Sequence, residues 1–349
     1  MPHITPLVSV LLPVYNAAPW LADCLDSLLA QTLPDFEIVA VDDGSTDESL
    51  PILQGYATRD GRIRLMPSAH VGVVQAAQLG LLACTGEFLA RMDADDIALP
   101  ARLQMQVALL RQEPHIQVAS CLVQHLPIPN SPPSIGFARY IDWLNSLLTP
   151  EAIAKAIFRE SPLPNPSTMV YRSELFALGG YVESGLPEDY ELWLRYHHHG
   201  AKMAKVPQTL LLWRDPPTRL TRTDSRYSVE NFLRCKADYL WKDVLANASG
   251  YWIWGAGQMG RRIAKQLQQR APSPTPAPLL GFFDTNPHKF GKLQRGVPIL
   301  PTEEVPTCWQ RHANSVLLVA VASDSARAII VRRLEHWGFV EARDFWVTA

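Results

Sequence analysis

No apolar run in this 349-residue chain approaches the ~20 residues that a membrane-crossing helix needs, so no segment reads as a span, although peripheral membrane contact stays open. The opening residues Met1-Pro2-His3-Ile4-Thr5 offer neither a basic n-region nor an apolar h-region, so they do not read as a secretory leader. Cysteine is sparse. The five residues Cys24, Cys84, Cys121, Cys235 and Cys308 are odd in number and never form a C-x-x-C pair. That excludes a disulfide framework and a thiolate zinc site, and it fits a reducing, cytoplasmic compartment. Basic charge is not in excess: 32 Lys and Arg stand against 34 Asp and Glu, a net charge of −2. A broad basic face for nucleic acid is therefore not expected. Tandem repeats and long low-complexity segments are also missing.

What is present is enough apolar residue, 47%, for more than one core, and the length argues for two domains. The N-terminal part alternates strand-like and helix-like runs. Leu7–Tyr15 and Phe36–Val41 read as strands. Between them Pro19 opens a helix that puts Leu21, Leu25, Leu28 and Leu29 on one face. Ser45-Thr46-Asp47-Glu48 reads as a capping box, with Pro51 delaying or kinking the helix that follows. Strands at Ile63–Met66 and Glu87–Met92 flank a helix near Val73–Ala83, and Pro100 starts another helix with Leu103, Val107 and Leu110 on one face. Leu126–Ser134 is a proline-rich loop. Tyr140–Phe158 reads as one helix, expected to lie over the active edge, and Ser228–Leu245 as another. Alternation of this kind means a mostly parallel sheet covered on both faces. A fresh strand–turn–helix begins at Tyr251, with further strands at Leu279–Phe283, Val316–Ala322 and Phe345–Val347 and a loop at Ala271–Pro278. The expected division is 1–248 and 249–349.

Three acidic clusters fall where strands of the first domain end: Asp42-Asp43-Gly44-Ser45, Asp93-Ala94-Asp95-Asp96 and Glu188-Asp189-Tyr190. The carboxyl edge of an open α/β sheet is where ligands bind. Residues i and i+2 of an extended segment point the same way, so Asp93 and Asp95 can face one nucleotide–metal unit with hard oxygen ligands. A separate carboxylate can then serve as a general base. Each cluster also has a plainer reading. Asp42-Asp43-Gly44-Ser45 can be a solvated turn with a helix cap, and Asp96 with Pro100 can cap the next helix. Glu188 and Asp189 can simply complement a helix dipole. The cations Arg214, Arg219 and Arg222 can meet a diphosphate when a loop closes, or form a basic surface loop. His197-His198-His199 does not suit metal binding, because neighbours on a helix point ~100° apart.

The first 220 or so residues resemble the family 2 glycosyltransferases of the GT-A fold. The resemblance rests on Val8–Asn16, Ser27–Thr32, Asp42–Asp47, Thr85–Leu89, Asp93–Asp96 and Glu188–Trp193, six matches in order. It implies a metal-dependent, inverting transferase of hexosyltransferase type, moving a sugar from a nucleotide-diphosphate donor to a hydroxyl of a glycan or lipid-linked acceptor, as in polysaccharide biosynthesis. It further implies that Pro13, Tyr15, Asn16, Asp42 and Asp43 hold the nucleoside. Asp93 would lie on the ribose side, and Asp95 with Asp93 would meet Mn²⁺ or Mg²⁺. Asp189 would be the base, supported by Glu188. With the reducing compartment read from the cysteines, the expected site of action is cytoplasmic, including the inner membrane surface. One departure stands out. Where the family often carries N-x-G-x-x-x-A-R-N, this chain has His70-Val71-Gly72 and Ala76-Ala77-Gln78, which puts donor contacts from that helix in doubt.

The C-terminal segment resembles small Rossmann-type domains attached to sugar-modifying enzymes. Gly255, Gly257 and Gly260 form G-x-G-x-x-G after a strand and before a helix, and Asp284 lies at the end of the next strand, where a ribose-binding acid belongs. A nucleotide or nucleotide-sugar site and a domain kept for packing or assembly both fit. Two rival classes differ from a transferase. An NAD(P)-dependent sugar-modifying enzyme centred on this domain would be favoured by a Tyr-x-x-x-Lys dyad, which 251–349 lacks. A nucleotide-sugar-binding regulator without chemistry is disfavoured by the presence of both Asp95 and Asp189.

Overall fold

The computed structural model describes residues 5–128, 135–216, 218–274 and 277–349. Parts of the two expected loops, 129–134 and 275–276, lie outside the described residues, as do the first four residues. The chain divides into two compact units. The first is Met1–Ile153, Pro162–Leu192 and Gly200–Thr223; the second is Ala154–Ser161, Trp193–His199 and Asp224–Ala349. Residue 249 falls inside the second unit, between the helix Val229–Asp243 and the strand that begins at Gly250.

Eight strands build the sheet of the first unit: β1 (Val8–Val14), β2 (Phe36–Asp42), β3 (Ile63–Pro67), β4 (Phe88–Arg91), β5 (Ile97–Ala98), β6 (Ile116–Leu126), β7 (Met169–Tyr171) and β8 (Lys202–Arg214). Their order is β3-β2-β1-β4-β7-β6-β8-β5. The four strands from β3 to β4 run parallel, whereas β7 is antiparallel to both its neighbours and β5 is antiparallel to β8. All of β2 and nearly all of β1 are buried, as strands covered by helices on both faces require. In register, Val14 sits beside Asp42 and Leu11 beside Arg91, so the chain leaves β1, β2 and β4 at one edge.

Two local expectations are corrected. The helix after β2 begins at Ser49, but Ser45 is not its cap. Asp47 supplies the acceptor instead, taking the Ser49 N–H (2.9 Å) on one oxygen and the Ala18 N–H (3.0 Å) on the other. The expected single helix over Tyr140–Phe158 is two, Ile135–Ser146 and Pro150–Ala156. Pro150 cannot donate an interior N–H and is suited to a first turn, so the helix restarts there.

The second unit holds β9 (Gly250–Trp254), β10 (Leu279–Asp284), β11 (Leu293–Gln294), β12 (Val297–Pro301), β13 (Ser315–Val319) and β14 (Phe345–Val347). The order is β11-β12-β10-β9-β13-β14, with only β11 antiparallel. The five parallel strands thus run outward in both directions from β9 and β13, a doubly wound arrangement. The turn between β9 and the helix Gln258–Gln269 is tight. Gly255 takes φ +116°, and a Cβ on Gly260 would stand 1.8 Å from the Gly255 carbonyl oxygen. Gly260→Ala is therefore expected to destabilise the second unit by ~1–3 kcal/mol, as overpacking against backbone does. Denaturant unfolding would show it, and an unchanged midpoint would mean that the helix can slide away from β9.

Candidate active site

The edge where β1, β2 and β4 end gathers the first two acidic clusters. Asp42 and Asp43 are both buried. Asp43 accepts the backbone N–H groups of Val71 (2.7 Å) and Gly72 (2.9 Å), one on each carboxylate oxygen. Its Oδ2 also lies 3.0 Å from His70 Nδ1, and the His70 ring stacks on Tyr15 with centroids 4.1 Å apart. Tyr15 keeps 47% of its surface exposed, so one aromatic face is left for a planar group. Asp42 accepts from the Ser45 N–H at 3.3 Å through Oδ2, while its buried Oδ1 has no partner. Asn16 binds the β1 and β2 loops together. Its N–H donates to Ser45 Oγ (3.0 Å), and its Oδ1 accepts the Thr46 N–H (2.8 Å). It adopts φ +49°, a conformation Asn tolerates better than most residues. Pro13 pairs in register with Val41 just before this loop.

Buried arginines fix the D-x-D segment. Arg91 Nη2 reaches Asp93 Oδ1 at 2.8 Å, and its Nη1 donates to the carbonyls of Met92 and, at 3.4 Å, Leu11. Arg102 Nη2 donates to the Arg91 carbonyl at 2.6 Å. Asp96 is not a helix cap, contrary to that expectation: the helix Arg102–Gln112 has no side-chain cap, and Asp96 Oδ1 accepts the Arg214 N–H (2.9 Å). Asp96 Oδ2 is buried without a partner. Arg214 then donates to the Asp95 carbonyl (2.7 Å) and to Asp23 Oδ2 (2.8 Å), over the face of Trp20. Its fork is committed to holding this turn. Arg219 lies over Trp213 (4.3 Å) and Phe137 (5.3 Å), 3.5 Å from Asp215. Its charge favours the ionised forms of Asp95, Asp96 and Asp189, against the burial and neighbouring carboxylates that disfavour them.

The third cluster opens the helix Glu188–His198. Burial first, then the Glu188 charge beside it, pushes the Asp189 carboxyl up to about 7, with Asp93 adding a smaller push. Its Oδ1 accepts the Tyr190 N–H at 2.7 Å. Asp95 is likewise pushed up, to about 6, by burial and by Asp93. Crowded carboxylates of this kind favour a bound cation, which would relieve both causes, so the residues suit a divalent ion. Among the described residues no group of three or more His, Cys, Asp or Glu is arranged to hold a metal. An ion here would complete its shell with oxygens of a ligand.

Some contributors were not singled out by sequence reasoning. His70 appeared only as part of a departure from the family pattern, yet it joins Tyr15 to Asp43. Gln78, in the same departure, accepts the Tyr181 N–H (2.8 Å) and so braces the segment before Asp189. Arg91 carried a signal, since position i−2 shares a side with Asp93 on an extended segment. Trp20 and Asp23 carried none. In the second unit His197 meets Phe158 edge-on, His198 bonds the Asp243 carboxylate, and His199 Nδ1 lies 2.9 Å from the Arg195 carbonyl.

A mixed α/β sheet with carboxylates along its parallel edge is the architecture of a nucleotide-diphospho-sugar transferase of the GT-A type. The family model described as Glycosyl transferase family 2 matches residues 9–177. The chain is 30% identical over 231 residues to the putative glycosyltransferase EpsE of Bacillus subtilis, covering 65% of this chain and 79% of that protein. It is 43% identical over 99 residues to the uncharacterized glycosyltransferase EpsJ of the same organism, covering 28% of this chain and only 29% of EpsJ. Its fold resembles that of S. aureus TarS 1–349 solved in complex with UDP-GlcNAc, with a TM-score of 0.54 at 18% identity, covering 74% of this chain and 71% of that one. The chain belongs to glycosyl transferase family 2.

The raised Asp189 carboxyl has a thermodynamic consequence. Its folded pKa, about 7, lies above the ordinary 3.8, so the folded protein holds the proton more tightly than the unfolded chain does. Metal-free stability is therefore expected to be highest below pH ~4 with respect to this group, and to fall as pH rises to about 7. Asp189→Asn should flatten that slope. An identical pH profile of urea midpoints in both proteins would count against a raised Asp189 carboxyl.

Proposed function

We propose that the first unit transfers a sugar, with inversion, from a nucleotide-diphosphate donor to a hydroxyl of a glycan or lipid-linked acceptor. The observation that carries this reading is the pairing of a nucleoside-sized platform (Tyr15, His70, Asp42, Asp43) with an Asp93–Asp95 segment and a separate carboxylate, Asp189, poised near neutrality. The Tyr15 ring stacks on a base, and the unpartnered Asp42 Oδ1 accepts from a base N–H or a ribose hydroxyl. Asp93, fixed by Arg91, faces the ribose side. Asp95 would hold Mn²⁺ or Mg²⁺ against the donor's diphosphate, where a divalent ion neutralises the charge of the departing nucleotide. Arg219 adds a cation on the same side.

Asp189 takes the proton of the acceptor hydroxyl as its oxygen forms a bond to the anomeric carbon. The bond from that carbon to the phosphate oxygen breaks, and its electron pair leaves with the nucleotide diphosphate. A single base and attack from the side opposite the leaving group invert the configuration. A carboxyl with a pKa near 7 is well matched to this task, because it is partly ionised at working pH and still basic enough to accept a proton. No helix among the described residues is long and apolar enough to cross a membrane, so a lipid-linked acceptor would be met at the membrane surface.

Asp189→Asn keeps shape but cannot accept a proton. Transfer should fall by ~10²–10⁴, with nucleotide affinity kept. In the unaltered protein kcat/KM should rise as pH passes through about 7. Collapse in Glu188→Gln with near-normal Asp189→Asn would move the role to Glu188. Asp95→Ala should abolish metal-assisted nucleotide binding and donor hydrolysis alike, and undiminished turnover in EDTA would exclude the metal.

A further inference from the structure

The second unit carries a cleft that glycosyl transfer leaves unused. It encloses about 270 Å³ at the carboxyl edge of the parallel strands, between the ends of β9 and β13. The chain runs from β9 through one helix to β10 on one side, and from β13 through another to β14 on the other side. Right-handed crossovers in opposite directions place those helices on opposite faces, so the strand ends part here and leave a crevice.

The cleft's chemistry is graded. Trp254, Val321, Ile329 and Ile330 form apolar walls, and Ile329 is 56% exposed, an uncovered apolar side chain of the kind a planar ring can cover. Asp284 forms the floor. Its oxygens are already fixed by the N–H groups of Ala256 (3.0 Å) and Asn286 (2.9 Å) and by Lys289 Nζ (2.8 Å), so the carboxylate is held in one orientation. Arg333 stands at the rim, with Nη1 3.3 Å from Thr302 Oγ1. Beside the floor, the 255–258 turn leads into the helix Gln258–Gln269, whose N-terminus has no side-chain cap. A Cβ at Gly257 would meet nothing within 4 Å, so the turn faces open space. Uncapped N–H groups at a helix start favour a phosphate.

We propose that this cleft binds a single ribonucleotide. The base lies between the apolar walls, ribose hydroxyls donate to Asp284, and the phosphate meets the Gly257 and Gln258 amides, those of Gly255 and Ala256 being taken by the Phe283 carbonyl and by Asp284. The size sets the limit: 270 Å³ falls just under the ~300–1,000 Å³ typical of sites for drug-sized ligands, which suits one nucleotide and not a dinucleotide. The site is independent of the transfer reaction and stands or falls separately from it.

The test is calorimetric titration of the full chain with AMP, ADP, UDP and GDP in EDTA, where metal-assisted donor binding is silent. At least one nucleotide should bind one-to-one. Gly257→Val, which fills the space before the turn, and Ala326→Phe, which fills the cleft from the helix Asp324–His336, should each weaken it at least tenfold, with thermal unfolding confirming that both variants fold. Asp42→Asn, in the first unit, should leave it unchanged. No binding by the folded chain, binding that survives either cleft variant, or binding lost in Asp42→Asn would overturn the proposal.

Discussion

Repulsion between like charges at one sheet edge is the constraint around which the first unit is arranged. Burial raises the proton affinity of Asp95, Asp96 and Asp189, and the Asp93 charge adds to it in all three. Left unanswered, such a cluster would push the chain apart. Arg91 holds Asp93 directly, and Arg214 holds the backbone of the turn at Asp95 while its own N–H meets Asp96. These contacts fix the position of the acids without fully neutralising them. What remains is a focused negative field in which neither Asp95 nor Asp189 has an arginine side-chain contact at hydrogen-bond range among the described residues.

The two units use the same edge of a parallel sheet differently. In the first, the β1 and β2 loops are joined by side chains (Asn16, Ser45, Asp47), and several carboxylates cluster after the strand ends, some bound to backbone and some with an oxygen left unpartnered. In the second, the one acid at a strand end, Asp284, is turned inward to hold the glycine turn. A carboxylate that organises backbone and one left with an unpartnered oxygen look alike in sequence; only the partners tell them apart.

That difference explains what was legible. The strands β1, β2, β4 and β9 were readable because a fully buried strand needs a short apolar run, and the acids directly after them marked the edge. Asp42, Asp43, Asp93, Asp95 and Asp189 stood out as acids after apolar runs or at a helix start, while the roles expected of them came from the resemblance to family 2 glycosyltransferases. Arg214 could be named but not its task, because its partners Asp23 and Trp20 come from a helix nearly two hundred residues earlier. His70 was hidden for the same reason, since its stack on Tyr15 is a tertiary contact. The break at Leu147-Leu148-Thr149 was missed because apolar spacing continues across it, and only Pro150 hinted at the restart.

The shortest strand of the first sheet has a mechanical consequence. β5 is two residues long, follows directly on Asp95 and Asp96, and pairs among the described residues only with β8, a strand of 13 residues. β8 in turn slips register against β6 around Cys121, Leu122 and Val123. The acidic turn is thus hitched to the far end of β8 through Arg214, and a small change in that slip would carry Asp95, Arg214 and the Trp213 face under Arg219 together. The acidic turn and the Arg214–Arg219 segment are therefore geared to one another, so a shift of β8 would move both without changing their relative placement.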